Sequence, residues 1–212
     1  MAVLIIADAD DGVLRDATHK TVTAAQAIGG DIDILVAGKD VNAAAQAAAK
    51  IAGVRKVLTA SSDALGQGLA EAYQALVTPL MAGYDALLVP ATAQGKNIAP
   101  RIAAALDVAQ ISDVIDVVSA DTFVHPIYAG NALETVQSSD AKKVLTVRAS
   151  AFAAAPEGGS AAVEAIDAGP QPAGVKFVSQ EMVKSDRPEL AGAKIVVSGG
   201  RALGSEEEFK AV

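Results

Sequence analysis

The sequence predicts an α/β protein in which a parallel sheet is flanked by helices. Four short, β-branched apolar runs predict strands, at residues 3–7, 31–37, 54–59 and 86–90. Three alanine-rich stretches of helical length separate them, at residues 16–28, 42–52 and 68–82. This alternation is typical of parallel strands joined by crossover helices, here in a Rossmann-like arrangement. Gly29 and Gly83 follow two of the helices, where a left-handed glycine commonly ends a helix.

The pattern changes after Asp107, where the sequence predicts additional antiparallel strands. Strand-like runs follow one another with connections too short for helices, at residues 114–118, 123–128, 133–137 and 144–148. Gly130 and Asn131 predict a tight hairpin between the second and third of these runs. Proline and glycine recur from residue 153 to 174, which predicts an irregular surface connection before a last strand at residues 175–184.

The final residues predict the beginning of a second domain. Residues 194–198 read as a buried strand and residues 199–201 as a glycine turn, and Ser205 with Glu208 forms the capping box of a helix. We therefore divide the chain into an N-terminal α/β domain at 1–184, a hinge at 185–192, and the first strand and helix start of a second α/β domain at 193–212. Proline and charged residues disfavour burial of the hinge.

Composition excludes several classes of function. The chain has 212 residues and 51% hydrophobic content, which is enough for a full core, but its net charge of −8 argues against a nucleic-acid partner. It has no cysteine, so disulfides, thiolate nucleophiles and zinc–cysteine sites are excluded. No run reaches the roughly 18 to 20 apolar residues that span a bilayer, so we expect no membrane insertion. Met1 leads directly into a strand, without the basic start of a signal peptide.

The glycine turn at Gly199, Gly200 and Arg201 is the first candidate site. Its backbone N–H groups can approach a phosphate closely, and the guanidinium of Arg201 can add a charge-assisted contact. The spacing to Gly204 matches neither the dinucleotide fingerprint nor the Walker A loop, so a plain connecting turn remains an alternative. Glutamates at 206–208 would repel a phosphate on the helix axis, so Arg201 and the glycine amides must hold any anion.

The second candidate is the segment from Thr92 to Arg101, predicted as a loop between a strand and a helix. Open α/β sheets usually place ligands at such a position. Asn97 is expected to cap the helix, with Lys96 beside it. A nucleotide pocket and a surface packed against another subunit both fit this segment, and we favour subunit packing. Arg101 is expected to form an ion pair with Asp113 that fixes geometry.

His19 and His125 are the residues that titrate near neutral pH when unperturbed. Neither has a second histidine or a cysteine at ligand spacing, so we expect no metal site. No serine lies in a G-x-S-x-G elbow, which argues against a serine hydrolase.

Several separated motifs, in this order, resemble those of the alpha subunit of the electron-transfer flavoproteins. They are Thr92-Ala93-Gln94-Gly95-Lys96-Asn97 with Pro100-Arg101, Ser112-Asp113, Pro126-Ile127-Tyr128-Ala129-Gly130-Asn131-Ala132, Leu145-Thr146-Val147-Arg148 and Val196-Val197-Ser198-Gly199-Gly200-Arg201. The resemblance covers essentially the whole chain. Two positions depart from the family pattern: His125 stands where arginine is usual, and Ala202 where glycine is usual.

The resemblance implies an electron carrier and not an enzyme. It implies that Arg201 contacts FAD with Gly200 beside it, that the other FAD motifs lie beyond Val212, and that AMP lies in a partner beta subunit. It also implies a heterodimer that takes electrons from flavin dehydrogenases, such as the acyl-CoA dehydrogenases of fatty acid beta-oxidation, and passes them to a membrane quinone oxidoreductase. The location would be cytoplasmic in a bacterium and the mitochondrial matrix in a eukaryote. A nucleotide-binding α/β enzyme and an interaction module without a ligand remain alternatives.

Overall fold

The structure is a computed structural model that describes residues 1–10, 12–181, 190, 193 and 195–211. The chain divides into two compact units, Met1–Val178 and Ser179–Val212. The first unit holds all of the sheets. The hinge expected at residues 185–192 lies, apart from Leu190, outside the described residues.

The first unit is built on a seven-stranded sheet in the order β12-β5-β4-β1-β6-β11-β7. Its strands are β1 (Ala2–Ile6), β4 (Asp31–Gly38), β5 (Val54–Ser61), β6 (Ala86–Pro90), β7 (Gln110–Val114), β11 (Lys143–Val147) and β12 (Ala162–Ala165). Every neighbouring pair is parallel. The α/β class predicted from the sequence is therefore confirmed.

Two smaller antiparallel sheets accompany the main sheet. One is the ribbon of β2 (Ala9–Asp10) and β3 (Val13–Leu14), and the other joins β8 (Asp116–Val117), β9 (Thr122–Ile127) and β10 (Ala132–Gln137). The helices are α1 (Asp16–Ile28), α2 (Asn42–Ala48), α3 (Asp63–Gly66), α4 (Ala70–Leu80), α5 (Ala93–Ala105) and, in the second unit, α6 (Glu206–Lys210). Three of the four runs predicted as antiparallel are thus present as β8, β9 and β10, and residues 128–131 connect β9 to β10 as the predicted hairpin.

The core has two layers, one on each face of the main sheet, because successive side chains of a strand point to opposite faces. In β1, Val3 and Ile5 pack in the layer covered by α1 and α2, whereas Leu4 and Ile6 pack in the layer covered by α3, α4 and α5. Burial on both faces explains why the central strands read as continuous apolar runs. The alanines on the inner faces of α1 and α2 are almost completely buried and allow these helices to lie close to the sheet; they are Ala24, Ala25, Ala44, Ala45 and Ala48.

Two strands differ from their predicted placement. The run at 144–148 was expected in the antiparallel region, but Lys143–Val147 lies parallel between β6 and β7 because its apolar side chains are completely buried in the main core. The irregular connection at 153–174 contains β12, which pairs with the edge of β5. Its four residues are all exposed, so no apolar pattern indicates the strand; backbone pairing forms it.

Other predicted elements end earlier or are missing. Helix α2 ends at Ala48 and not at Ala52, because Ile51 pairs with Glu157 and Gly53 takes a positive φ of 86°. Residues 175–181 form no strand, so that part of the predicted last strand is wrong, and its residues 182–184 are not among those described. In the described residues, no helix is long and apolar enough to cross a membrane.

The second unit begins its helix as predicted but lacks the predicted strand. Residues 195–198 have no strand partner among the described residues, and Ile195 is 84% exposed, so the expected buried strand is not formed there. The Ser205 hydroxyl accepts a hydrogen bond from the Glu208 N–H at 3.2 Å, which caps α6. The Glu208 carboxylate accepts from the Gly204 N–H at 2.7 Å, so the second bond of the capping box is made one residue earlier than expected.

A buried carboxylate joins three elements at the amino ends of the central strands. The Asp33 side chain is completely buried and accepts two hydrogen bonds from Arg55, at 2.8 and 2.6 Å. The Tyr84 hydroxyl donates a third, at 2.6 Å. Burial alone would raise the pKa of Asp33, but the bonds from Arg55 and Tyr84 outweigh it and hold this pKa below its ordinary value. Burial and the bond to Asp33 raise the pKa of Tyr84.

We predict that Asp33→Asn lowers the free energy of unfolding by about 2 kcal/mol, because it removes the charge of a buried carboxylate that accepts charge-assisted hydrogen bonds from the half-exposed Arg55. Asp31→Asn is the matched control. Asp31 also contacts Arg55, at 3.0 Å, but this pair is exposed and should contribute less than about 1 kcal/mol. Urea unfolding at pH 7 measures both. Equal losses of unfolding free energy in the two variants would contradict the assignment of Asp33 as the stabilising carboxylate.

The pair of Asp33 and Arg55 also predicts how the stability of the fold depends on pH. Because the pKa of Asp33 is lower in the folded state, its contribution is fully present above the ordinary value of 3.8 and is lost as the pH falls through the lower folded value. The stability difference between the wild type and Asp33→Asn should therefore shrink below that pH. A stability difference that grows as the pH falls would contradict this prediction.

Candidate cofactor turn and ligand cleft

The glycine turn of the second unit has an open backbone. The Leu203 N–H donates to the Gly200 carbonyl at 3.0 Å, which closes the turn. A Cβ at Gly199 would come within 2.4 Å of the Leu203 side chain and 2.9 Å of the Phe209 ring, so Gly199 is required by local packing. A Cβ at Gly200 would meet nothing within 4 Å. Gly200 therefore faces open space, where a ligand can approach the main chain.

Arg201 is the cation of this turn. It is exposed, and it forms no ion pair with the described acidic residues of the second unit. Three glutamates fill the first turn of α6, as expected from the sequence, so an anion here depends on Arg201 and the neighbouring amides. Ala202 does not have a positive φ, so alanine causes no backbone strain where the family usually has glycine. These residues fit a phosphate-bearing cofactor.

The first unit has a separate cleft of about 450 Å³ at the carboxyl edge of its sheet. The end of β4 forms its floor, and the β2–β3 ribbon, α3 and the first turn of α5 form its walls. This is the edge where open parallel sheets usually bind ligands. Its lining includes four glycines, Gly12, Gly38, Gly66 and Gly68. A Cβ at Gly66 would lie 2.7 Å from the Lys39 side chain, so this glycine allows α3 to approach β4.

Tyr73 closes the cleft floor. Its hydroxyl donates to the Ala37 carbonyl at 2.8 Å and accepts from the Gln94 side-chain amide at 3.2 Å. Burial raises the pKa of Tyr73 to about 12, so this hydroxyl remains protonated at neutral pH. The chain of bonds connects α4, β4 and the start of α5. Tyr73 therefore has a structural role that explains its burial.

The charges of the cleft do not favour a phosphate. Of the described residues that line it, Lys39 carries the positive charge, and its Nζ lies 3.1 Å from Asp63. Asp40 adds negative charge to the same lining, whereas Asp10 is paired with Arg15. A phosphate would have to displace a carboxylate from Lys39 and lie near Asp40.

The segment from Thr92 to Arg101 is a helix and not the loop that we predicted. Thr92 caps α5 by accepting the Gly95 N–H at 3.3 Å, so the expected cap at Asn97 is wrong. Gly95 allows the helix to begin directly after β6, because a Cβ there would lie 1.9 Å from the Pro90 carbonyl oxygen. Lys96 is exposed and does not line the cleft.

The predicted ion pair between Arg101 and Asp113 is also wrong. Arg101 lies 3.2 Å from Glu71, which joins α5 to α4. Asp113 instead pairs with Arg148, whose Nε donates at 3.1 Å and whose Nη2 contacts the same oxygen. The Asp113 N–H also donates to the buried Thr146 hydroxyl at 2.8 Å. These contacts hold Asp113 at a φ of 60°, a left-handed conformation that aspartate tolerates better than most residues.

The two histidines have ordinary structural partners. His19 Nδ1 lies 3.2 Å from the Ala155 carbonyl, and His125 Nε2 lies 3.0 Å from Glu134 across the hairpin. Among the described residues, no group of histidines or carboxylates is arranged to hold a metal ion.

Fold and site together define an α/β protein with a candidate anion-binding turn, and comparisons with known proteins identify its family. The model of the electron transfer flavoprotein domain matches residues 3–171. The chain is 56% identical to electron transfer flavoprotein subunit alpha of Pseudomonas aeruginosa, over 99% of the chain and 68% of that protein. It is also 56% identical to the subunit of the same name from Bradyrhizobium diazoefficiens, over 99% of the chain and 67% of that protein. A probable mitochondrial alpha subunit from Caenorhabditis elegans is 41% identical and is covered over 64% of its length.

The chain therefore belongs to the electron transfer flavoprotein family, and within it to the alpha subunits. It is an electron carrier and not an enzyme. The alternative of a nucleotide-binding enzyme that uses the segment from Thr92 to Arg101 is therefore rejected. The chain spans about two thirds of the length of these relatives.

The sequence analysis did not predict three features of the structure. They are the bonds of Tyr73, the pairing of Arg148 with Asp113, and the hydrogen-bond network of Asp33. Arg148 carried a usable signal, since an arginine directly after a buried parallel strand lies at the same sheet edge as Asp113. Asp33 also had a usable sequence signal, because a charged residue inside an apolar strand needs a partner on a neighbouring strand. The position of Tyr73 depends on how α4 packs and had no local signal.

We predict that Arg148→Ala raises the pKa of Asp113 toward its ordinary value, because the hydrogen bond and charge of Arg148 are what lower it. Arg101→Ala is the matched control and should leave the Asp113 pKa unchanged. Carboxyl ¹³C NMR titration measures both variants. An Asp113 titration that moves in the Arg101 variant alone would restore the pairing expected from the sequence.

Proposed function

We propose that this chain works as the alpha subunit of a heterodimer with a beta subunit, binds FAD, and carries electrons from flavin dehydrogenases, such as acyl-CoA dehydrogenases, to a membrane quinone oxidoreductase. The observation that supports this best is 56% identity to proteins named as alpha subunits across nearly the whole chain. The expected location is the cytoplasm in a bacterium and the mitochondrial matrix in a eukaryote.

The residues proposed to hold FAD are Arg201 and Gly200. FAD itself supplies the redox chemistry by accepting and releasing electrons, and the protein supplies binding and orientation. The guanidinium of Arg201 is suited to a charge-assisted contact with a cofactor phosphate, and the bare main chain at Gly200 permits close approach. We propose residues 193–212 as the start of the FAD-binding domain and residues 185–192 as the hinge before it.

The N-terminal α/β domain, residues 1–184, is proposed to serve as scaffold and subunit interface. We place the family's AMP in the beta subunit and not in the cleft of this chain. The pairing of Lys39 with Asp63 and the nearby Asp40 support this choice, since they oppose a phosphate in the cleft.

We predict that Arg201→Ala weakens FAD binding about ten- to a hundredfold, which corresponds to roughly 1.5 to 3 kcal/mol for a charge-assisted contact. The protein for this test is the heterodimer whose alpha subunit is extended to the length of its relatives. Flavin fluorescence during titration of the apoprotein measures the affinity. Lys210→Ala is the control, because Lys210 is a cation of the same unit whose partner is Glu206.

Two outcomes separate the site from the function. Unchanged affinity in Arg201→Ala would show that the turn is only a connector. A correctly folded wild-type heterodimer that stays colourless with FAD would contradict the proposed function itself.

We predict that calorimetric titration of the 212-residue chain with AMP or ATP shows no micromolar binding, because the cleft lacks an unpaired cation among its described lining residues. The same chain should bind the beta subunit saturably. Micromolar nucleotide binding that Lys96→Ala abolishes would instead support a nucleotide site at the segment from Thr92 to Arg101.

A further inference from the structure

The cleft of the first unit carries polar side chains that the fold itself does not use. The side-chain amides of Gln67 and Asn97 and the carboxylate of Asp40 line it, and none of these three groups has a hydrogen bond or ion pair to a described residue. The Gln94 amide nitrogen donates to Tyr73, which leaves the Gln94 amide oxygen as a further acceptor. The cleft therefore offers both donors and acceptors to a ligand.

Asp40 is the charged residue of the lining that has no partner among the described residues. Lys39 is paired with Asp63 at 3.1 Å, and Asp10 is paired with Arg15. An anion is therefore opposed, because it would meet the Asp40 carboxylate and no free cation of the described lining. A simple cation could use the carboxylate but not the N–H donors of the amides. Hydroxyl groups both donate and accept, so an uncharged ligand with hydroxyls can use all of these groups.

The place of Asp40 in the fold indicates which hydroxyls it can accept from. Asp40 follows β4, the strand that the chain reaches from β1 through α1. In open sheets that bind dinucleotides, an acidic residue beyond the first glycine turn accepts a hydrogen bond from a ribose hydroxyl. A Cβ at Gly12 would lie 3.3 Å from the Asp40 carbonyl oxygen, so this glycine brings the β2–β3 ribbon close to Asp40. The two oxygens of the carboxylate suit two adjacent hydroxyl groups.

The shape of the cleft suits a ring. Its volume of about 450 Å³ lies within the range of small-molecule sites, roughly 300 to 1,000 Å³. Val36, Val41 and Leu65 are the branched apolar side chains of the lining, and Ala37 and Gly38 leave space beside them. A ring can therefore lie against apolar carbon while its hydroxyl groups reach the polar side chains.

We propose that this cleft binds an uncharged ligand with two adjacent hydroxyl groups on a ring, as in the ribose of a nucleoside or in a free sugar, and that the Asp40 carboxylate accepts hydrogen bonds from both hydroxyls. The amides of Gln67, Gln94 and Asn97 bind the other polar groups of the ligand. The pairing of Lys39 with Asp63 makes the site select against phosphorylated forms of the same ligand. The inference goes beyond the proposed function, since it involves neither FAD nor the beta subunit.

The first test compares adenosine with dideoxyadenosine, which lacks both adjacent ribose hydroxyls, as ligands of the whole chain. Ligand-observed NMR titration measures the affinity, which we expect at about 0.1 to 1 mM because the contacts are few and exposed. Adenosine should bind about tenfold tighter or more, since dideoxyadenosine loses both hydrogen bonds to the carboxylate. Methyl riboside has the two hydroxyls but no base. Its binding at the affinity of adenosine would indicate a sugar site, and weaker binding would indicate a nucleoside site.

The second test changes the protein. Asp40→Asn should weaken adenosine binding about tenfold and leave dideoxyadenosine binding unchanged, because the amide keeps one acceptor oxygen of the two. Asp16→Asn is the matched control, since Asp16 is also an exposed aspartate but lies outside the cleft lining. Asp63→Asn releases Lys39, so AMP should bind this variant about tenfold tighter than it binds the wild type.

Several outcomes would overturn the inference. They are equal binding of adenosine and dideoxyadenosine, adenosine binding that Asp40→Asn leaves unchanged, and no binding of adenosine or methyl riboside at millimolar concentration. Wild-type binding of AMP as tight as that of adenosine would contradict the role of Lys39 and Asp63 in selecting against phosphate. None of these outcomes changes FAD binding by the heterodimer, so the proposed function would stand.

Discussion

The fold depends on burying both faces of a parallel sheet. Strand β1 lies at its centre, and its alternating side chains contribute to both core layers. Each layer requires helices on its own side, which the crossover connections provide. Alanine-rich helices suit this arrangement because small side chains bring the helix backbones close to the sheet. The positions of the Asp33 network, the cleft and the pair of Asp113 and Arg148 follow from where the ends of these parallel strands lie.

The two ends of the sheet have different roles because all seven strands run in the same direction. At the amino end, Asp33 is buried with Arg55 and Tyr84, and this network fixes β4, β5 and the approach to β6. At the carboxyl end, the strands lead into turns that leave a cleft and hold Asp113 against Arg148. One end therefore stabilises the sheet, and the other presents the cleft and the pair of Asp113 and Arg148.

Apolar periodicity was enough to predict the central strands, the first helix and the α/β class. It failed for β12, which is exposed and exists through backbone pairing with β5, and for residues 195–198, whose apolar side chains have no described strand to pair with. The segment from Thr92 to Arg101 was misread because its Gly95 and Pro100 suggest a loop, whereas Gly95 serves close packing against Pro90. Of the candidate site, Gly200 and Arg201 were found from sequence, but their contact with FAD stays a prediction.

The groups with shifted pKa values all have partners within the fold that explain the shift. Asp33, Asp113 and Asp121 have lowered pKa values, and each carboxylate accepts hydrogen bonds from neighbouring side chains. Tyr73 and Tyr84 have raised pKa values because they are buried, and both hydroxyls donate within the fold. In enzymes, shifted groups gather in one cleft and face the substrate. Here the described groups connect secondary structure elements: Asp33 joins β4 to β5, Asp113 joins β7 to the end of β11, and Tyr73 joins α4 to β4 and α5.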